Sequence, residues 1–481
     1  MISIDSIQKL KLVAAGKTAL PVLIHLVDGK RQPLCAGVAP KLPDTFKGRA
    51  GERFDHVDGQ RRALLVGCGN ATAAGSAVYW ESVGAQAVAA LQATGLEQAQ
   101  IAGAFASAEA SQSFCVGALL ASYSNKIYRK TAVTVVPQLR VVGVSKDTLK
   151  RAEDLATSMN WARALVDAPP NHLTPLQFAK ESQSLSSIGV DVKVLNMTAL
   201  EKMGAHGLLS VGRSSVEKPC MVVAQWNGRA GKGTDLAIVG KGLTFDGGGL
   251  NLKTVIIEKM KLDKGGAAAA IAALRVLALR KAKINVAVVL TLAENVIGPD
   301  AYRPGDVISS LAGITIEVAN TDAEGRIVLA DGLTYAQTKF KPKYLVDIAT
   351  LTGAIAATFH QEFAGLFAND EPLAQLLQQA SSETGDLLWR MPLSPLQDYV
   401  VESEIADVKN VGAMTSIGIP AYGSSIAGAK FLEKFTVGSK WAHLDMASTV
   451  LTTRSNSGLK PGPSAWGVKI LDRLASLISK Q

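Results

Sequence analysis

The run Asn320-Thr321-Asp322-Ala323-Glu324-Gly325-Arg326 most constrains what this chain can fold into. It sets two carboxylates and a guanidinium, Asp322, Glu324 and Arg326, at alternate positions. If the run is extended, alternate side chains point the same way and the three charges converge. Burying them without partners is costly. One reading is a solvated turn with a surface ion pair, the usual fate of a short charged run. The other is a metal or anion site. The following segment, Ile327 to Ala336, is mostly apolar and reads as a core-facing helix, so the charges sit at a buried mouth.

A second cluster completes the picture. The apolar strand Leu236-Ala237-Ile238-Val239 leads into a glycine-rich stretch from Gly240 to Lys253. Lys241 and Asp246 are expected to flank the strand-to-loop crossing, with Lys253 after the triple glycine. Asp263 precedes Gly265-Gly266 and a long alanine-rich helix. Taken singly, each is ordinary: a surface lysine, a capping aspartate, a glycine turn. The phosphate-loop spacing is absent, and the dinucleotide-binding pattern is not met at the right strand–helix junction. Together, Asp246, Asp263, Asp322 and Glu324, with no histidine nearby, suit a pair of oxygen-ligated divalent ions. Two such ions, about 3.5–4 Å apart, can clamp a carbonyl and activate a bridging water. A nearby lysine can ligate when its pKa is depressed, or stabilise an oxyanion. A Gly-x-Ser-x-Gly elbow and a His-Glu-x-x-His helix are both absent from the sequence, which leaves serine hydrolases and histidine-ligated zinc peptidases unsupported.

These residues resemble the leucyl (cytosol) aminopeptidase family of two-metal exopeptidases, whose signature is the Asn320–Arg326 run. Further segments match in the family's order: Ala162-Arg163 through Pro169-Pro170-Asn171-His172-Leu173-Thr174-Pro175, Glu294-Asn295, Arg303-Pro304-Gly305-Asp306, Thr350-Leu351-Thr352-Gly353, and Trp441-Ala442-His443-Leu444-Asp445. The resemblance covers the C-terminal two-thirds. It implies that Lys241, Asp246, Asp263 and Glu324 hold a tight metal, and that Asp246, Asp322 and Glu324 hold an exchangeable one, as Mn²⁺ or Zn²⁺. It implies that Lys253 polarises the scissile carbonyl and that Arg326 holds a bicarbonate ion. Met260, Thr350, Gly353 and Ala447 fall where the family lines its first specificity pocket, which suits Leu- or Met-like side chains; ordinary core packing is an equal reading for each. The implied substrate is a peptide with a free N-terminus, and the implied assembly is a cytoplasmic homohexamer of two stacked trimers.

Four departures stand out. Gly247 replaces the usual serine after Asp246, Lys264 replaces the usual methionine after Asp263, and Thr254 stands where a proline often follows the lysine. The connection from Lys253 to Asp263 is one residue shorter than usual. A cation at Lys264 is expected to weaken metal binding if it faces the site. Gly247, Lys264 and the shorter connection support an alternative, a catalytically weak or inactive member kept for assembly or binding; a DNA-binding accessory role is a further reading.

At 481 residues the chain suggests more than one domain. Alternating strand and helix patterns predict an α/β fold: a smaller N-terminal α/β domain over 1–158, a linking helix over 146–167, and a larger catalytic domain over 168–481 with a mixed sheet flanked by helices. In the first domain, 22–27, 63–67 and 139–144 read as strands, 73–94 and 107–123 as helices, and 28–60 as loop. In the second, strands are expected at 190–195, 221–225, 236–239, 284–291 and 344–348. Helices are expected at 198–203, 266–279 and 327–338. Four scattered cysteines, Cys35, Cys68, Cys115 and Cys220, read as reduced thiols. The start lacks a signal-peptide layout, and no apolar run reaches the ~18 residues of a membrane span. The net charge of +9 would admit a nucleic-acid partner, but the basic residues form no dense block or recognisable motif.

Overall fold

The computed structural model describes all residues except 1, 9, 15–19, 21, 38–41, 59–60, 71–75, 126–127, 131–136, 232, 416–423, 437 and 454–459. The chain forms two compact units. One comprises 162–451 with 463–481; the other comprises 2–161 with 452–462.

The smaller unit is built on strands β1 (Lys11–Ala14), β2 (Val22–Val27), β3 (Ala36–Gly37), β4 (Arg53–Asp58), β5 (Arg61–Gly67), β6 (Gln98–Ala104) and β7 (Gln138–Val142). They run in the order β1-β7-β6-β2-β5-β4, with β3 pairing β6. The inner pairs are parallel, while β3 and β4 pair antiparallel. Helices Ala77–Thr94 and Ala108–Ala121 start on the serine caps Ser76 and Ser107, whose side chains accept from Tyr79 N and Ala110 N. The expected 28–60 loop contains β3 and β4, so that reading is corrected: β4 is polar and charged, and its edge position hides it from hydrophobic patterning. Residues 73–75 of the expected 73–94 helix lie outside the described residues; the helix begins at Ala77. Strand β6 was not anticipated from the sequence.

The larger unit holds β8 (Asp191–Leu195), β9 (Cys220–Asn227), β10 (Leu236–Asp246), β11 (Asn285–Asn295), β14 (Tyr344–Ala349), β15 (Ala364–Ala368), β16 (Leu388–Arg390) and β18 (Trp441–Asp445). A small sheet joins β12 (Val307–Ser309), β13 (Thr315–Glu317) and β17 (Val408–Lys409). The main sheet is mixed, in the order β16-β15-β18-β14-β10-β11-β9-β8, with parallel pairing from β18 through β11. Those central strands are buried on both faces, so they read as continuous apolar runs rather than as alternation. Helices Gly265–Leu279 and Glu324–Phe340 are packed against them and are mostly buried. No described helix is long and apolar enough to cross a membrane.

Candidate metal centre

Strand β10 carries the site further than its sequence suggested. It does not end at Val239 but runs to Asp246, through Lys241. Lys241 is therefore a mid-strand residue, correcting the expectation that it flanks the strand's end. Register with β11 continues to Asp246↔Asn295, with a bulge between Leu243 and Phe245. The Asn320–Arg326 run is likewise not extended. Residues 321–322 form a turn, and Glu324 opens a helix. A turn followed by the first helical residues brings Asp322 and Glu324 together without strand alternation.

Asp246, Asp322 and Glu324 each bring a carboxylate oxygen within 4.8 Å of the others. Lys241 Nζ lies 2.8 Å from Asp263 Oδ2 and 2.9 Å from Glu324 Oε1, and it donates to Thr350 O at 3.0 Å. Lys253 Nζ lies 2.9 Å from Asp246 Oδ2 and also pairs with Asp322. Four carboxyl groups face two ammonium groups, so full ionisation would leave two negative charges without a partner. Asp246, Asp263 and Glu324 are buried, whereas the Asp322 side chain is 30% exposed and the Lys253 side chain 19%.

The electrostatics follow from that crowding. Burial, together with Asp246 and Glu324, pushes Asp263 up to about 8 against the pull of Lys241. Burial and the neighbouring Glu324 and Asp246 push Asp322 up to about 7. Burial opposes the charges on Lys241 and Lys253, but the surrounding carboxylates outweigh it and raise both ammonium groups above their ordinary value. Glu324 Oε2 has no hydrogen-bond partner. Asp263 Oδ2 and Asp322 Oδ1 are each ion-paired with a lysine, Lys241 and Lys253 respectively. An unpartnered buried carboxylate oxygen, in a cluster with more acids than cations, fits divalent cations.

Two glycine features are structural requirements. A Cβ on Gly325 would lie 2.5 Å from Lys241 Cε, so the glycine is what admits the lysine to Glu324. Gly248 and Gly249 take φ of +87° and +65°, which returns the chain so that Thr321 Oγ1 donates to Gly248 O at 2.7 Å. At Gly247 a Cβ would stand 3.1 Å from Asn295 O, a tight fit for the serine usual in the family.

Residues to which sequence reasoning assigned no such part hold the acids in place. Asn295 Nδ2 donates to Asp246 Oδ1 at 2.9 Å and to Thr321 O at 3.0 Å. Tyr302 Oη donates to Thr321 O at 2.6 Å. Thr350 Oγ1 donates to Asp263 Oδ1 at 2.6 Å. Only the register of β10 on β11 reveals Asn295's part; no local spacing signals it.

Arg326 is buried, and its Nε and Nη1 have no hydrogen-bond partner. Burial draws its pKa down to about 10, with Glu324 and Asp445 opposing. A buried guanidinium with two unpartnered nitrogens suits a small planar anion such as bicarbonate.

Of the expected pocket residues, Thr350 is buried, Met260 and Ala447 are half-buried, and Gly353 is exposed. Asp445 accepts from Leu351 N at 3.1 Å, Thr352 Oγ1 at 2.5 Å and Ala447 N at 3.3 Å, which ties the Thr350–Gly353 and Ala447 segments together. Ile256, between Lys253 and Met260, takes φ +50°, a costly value for a β-branched residue in this shortened connection.

Lys264 does not turn onto the carboxylates. Its Nζ donates to Lys261 O at 2.7 Å, Ala168 O at 3.0 Å and Thr244 O at 3.4 Å. Burial, reinforced by Lys261, lowers its pKa to about 7. The expectation that it opposes metal binding directly loses its basis. The four cysteines are buried free thiols, and burial pushes each up to about 12.

Comparison with known proteins gives the family. The model of the cytosol aminopeptidase family catalytic domain matches residues 160–471. A probable cytosol aminopeptidase of Chelativorans sp. (strain BNC1) is 38% identical over 461 residues, 92% of this chain and 91% of that one. Another, from Brucella suis biovar 1 (strain 1330), is 44% identical over 331 residues, 69% of this chain; the match spans only 65% of the Brucella protein. Among solved structures, the bottromycin maturation enzyme BotP superposes with a TM-score of 0.84 at 29% identity, covering 96% of this chain and 100% of that one. BotP in complex with Mn gives a TM-score of 0.83 at the same identity. The chain belongs to the cytosol aminopeptidase family.

Proposed function

We propose that the chain is a metal-dependent aminopeptidase of the leucyl type that releases the first residue from peptides with a free N-terminus. The observation that carries this reading is the buried carboxylate cluster, whose charge two lysines leave uncompensated. Lys241, Asp246, Asp263 and Glu324 would hold one divalent ion; Asp246, Asp322 and Glu324 would hold a second, as Mn²⁺ or Zn²⁺. The burial gradient supports a tight inner position and an exchangeable outer one, since Asp322 is the exposed member. Bound metals would supply Lewis-acid polarisation of the peptide carbonyl and acidify a water. Lys241 would have to be neutral to serve as a ligand, because metal ligands are deprotonated groups. Lys253 would donate to the carbonyl oxygen as negative charge develops there. Arg326 would hold bicarbonate as the proton acceptor.

Thr350, Gly353, Met260 and Ala447 are proposed to receive the first side chain, with Leu and Met favoured. Assembly as a homohexamer in the cytoplasm is proposed too. Leu250, Leu252, Val255 and Ile256, around Lys253, are exposed apolar side chains of the kind a subunit contact covers. The test is hydrolysis of a leucine anilide by Mn²⁺-loaded and by chelated protein, beside Glu324→Ala. Metal-dependent turnover lost in the variant supports the reading; no turnover from a folded, Mn²⁺-bound wild type rejects it. Light scattering after size exclusion reads the assembly.

A further inference from the structure

Lys264 has no solvent exposure, yet its charged end meets carbonyls rather than carboxylates. The three oxygens come from three segments. Ala168 closes the Lys146–Asp167 helix, accepting at 3.0 Å. Thr244, at 3.4 Å, sits at the β10 bulge two residues before Asp246. Lys261, at 2.7 Å, lies in the 3-10 turn two residues before Asp263. An ammonium group has three N–H donors and no acceptor, so three carbonyls satisfy it fully. A ring of main-chain carbonyls is also how proteins replace the hydration shell of a monovalent cation.

We propose that Lys264, in its protonated form, is a built-in monovalent cation. It fills a carbonyl cage and thereby fixes the backbone that presents Asp246 and Asp263. This makes it a positioning residue for the carboxylate site, a role that rests on the metallopeptidase reading; the cage itself does not. The same chemistry means that a small cation, potassium or methylammonium, should substitute when the side chain is cut away. The unsubstituted chain should be indifferent to which monovalent salt is present.

The experiment compares wild type, Lys264→Ala and Lys264→Met in choline chloride, potassium chloride and methylammonium chloride at equal ionic strength. Two quantities are read: the thermal midpoint, and Mn²⁺ affinity by calorimetry. In choline, both variants should show a lower midpoint and Mn²⁺ affinity weaker by about tenfold or more, the usual scale for removing a group that orients metal ligands. Potassium or methylammonium should restore Lys264→Ala on both readouts and leave wild type unmoved. A purely packing role would give a midpoint loss blind to the identity of the cation. Variants that match wild type in choline overturn the proposal, as does an alanine variant that neither cation restores, including one that fails to fold in every salt. A wild type that binds no Mn²⁺ removes the peptidase reading alone. The salt-specific midpoint of Lys264→Ala then still decides on the cage.

Discussion

The two units share a design and differ in how they treat charge at the carboxyl ends of their parallel strands, where open α/β sheets gather ligands. In the smaller unit, β2 is followed by Asp28, whose Oδ1 accepts from Lys30 N at 2.9 Å and Gln32 N at 2.7 Å. The adjacent loops close on one another, with Gly29 N donating to Gly69 O at 2.6 Å and Gly69 N to Gly48 O at 2.9 Å. The acid there is satisfied by its own main chain. In the larger unit, β10 ends at Asp246, which shares its surroundings with three more acids and only two lysines. One architecture gives a locally satisfied loop cluster in the first case and, in the second, an acid-rich cluster proposed to take cations. Function resides in the charge left uncompensated, not in the fold.

Substitutions can break or sharpen that contrast. The largest effect is expected from Glu324→Ala, which removes the carboxylate that both pairs with Lys241 and converges with Asp246 and Asp322. Mn²⁺ binding by calorimetry should disappear and peptide hydrolysis should fall to the level of chelated protein; retention of both would show that the acids are merely a structural ion-pair network. Next, Lys253→Ala should lower kcat by about 10²–10³-fold with Mn²⁺ still bound, the scale of losing one oxyanion donor. A change in KM alone would reassign Lys253 to substrate binding. Asn295→Ala, which leaves Asp246 Oδ1 with Gly248 N as its remaining donor, should weaken Mn²⁺ binding by about 10-fold, and an unchanged calorimetric affinity would deny it a part in orienting Asp246. The smallest functional effect belongs to the other unit. Asp28→Ala should leave kcat and Mn²⁺ affinity unchanged while costing about 1–3 kcal/mol of stability by chemical denaturation, because two main-chain donors lose their acceptor. Loss of metal binding in Asp28→Ala would erase the distinction between the two edges.

Much was legible in the sequence because apolar period and glycine punctuation are local. The 22–27 strand and the 146–167 helix stand at the bounds read from their pattern. Others were shifted or missed where local pattern is weak. Strand β4 is charged, and β6, Gln-Ala-Gln-Ile-Ala-Gly-Ala, mixes small and polar residues that give little alternation. Strand β10 outran its expected end because the glycines at 240 and 242 look like a turn; in the sheet they make room for the helix that carries Gly266 and Ala267.

By itself, the sequence determined the chemistry: which acids and cations the chain can bring to a site, and the family to which their motifs belong. Side-chain identity and spacing along the chain are sufficient for that. Only the tertiary structure decided how they converge. It made the Asn320–Arg326 run a turn and a helix start rather than a strand. It set Asn295 against Asp246 through a register 49 residues apart in sequence. It turned Lys264 from the acids to three carbonyls. These outcomes depend on which distant segments pack together, and in a buried, poorly screened interior that packing alone fixes where each charge finds its partner.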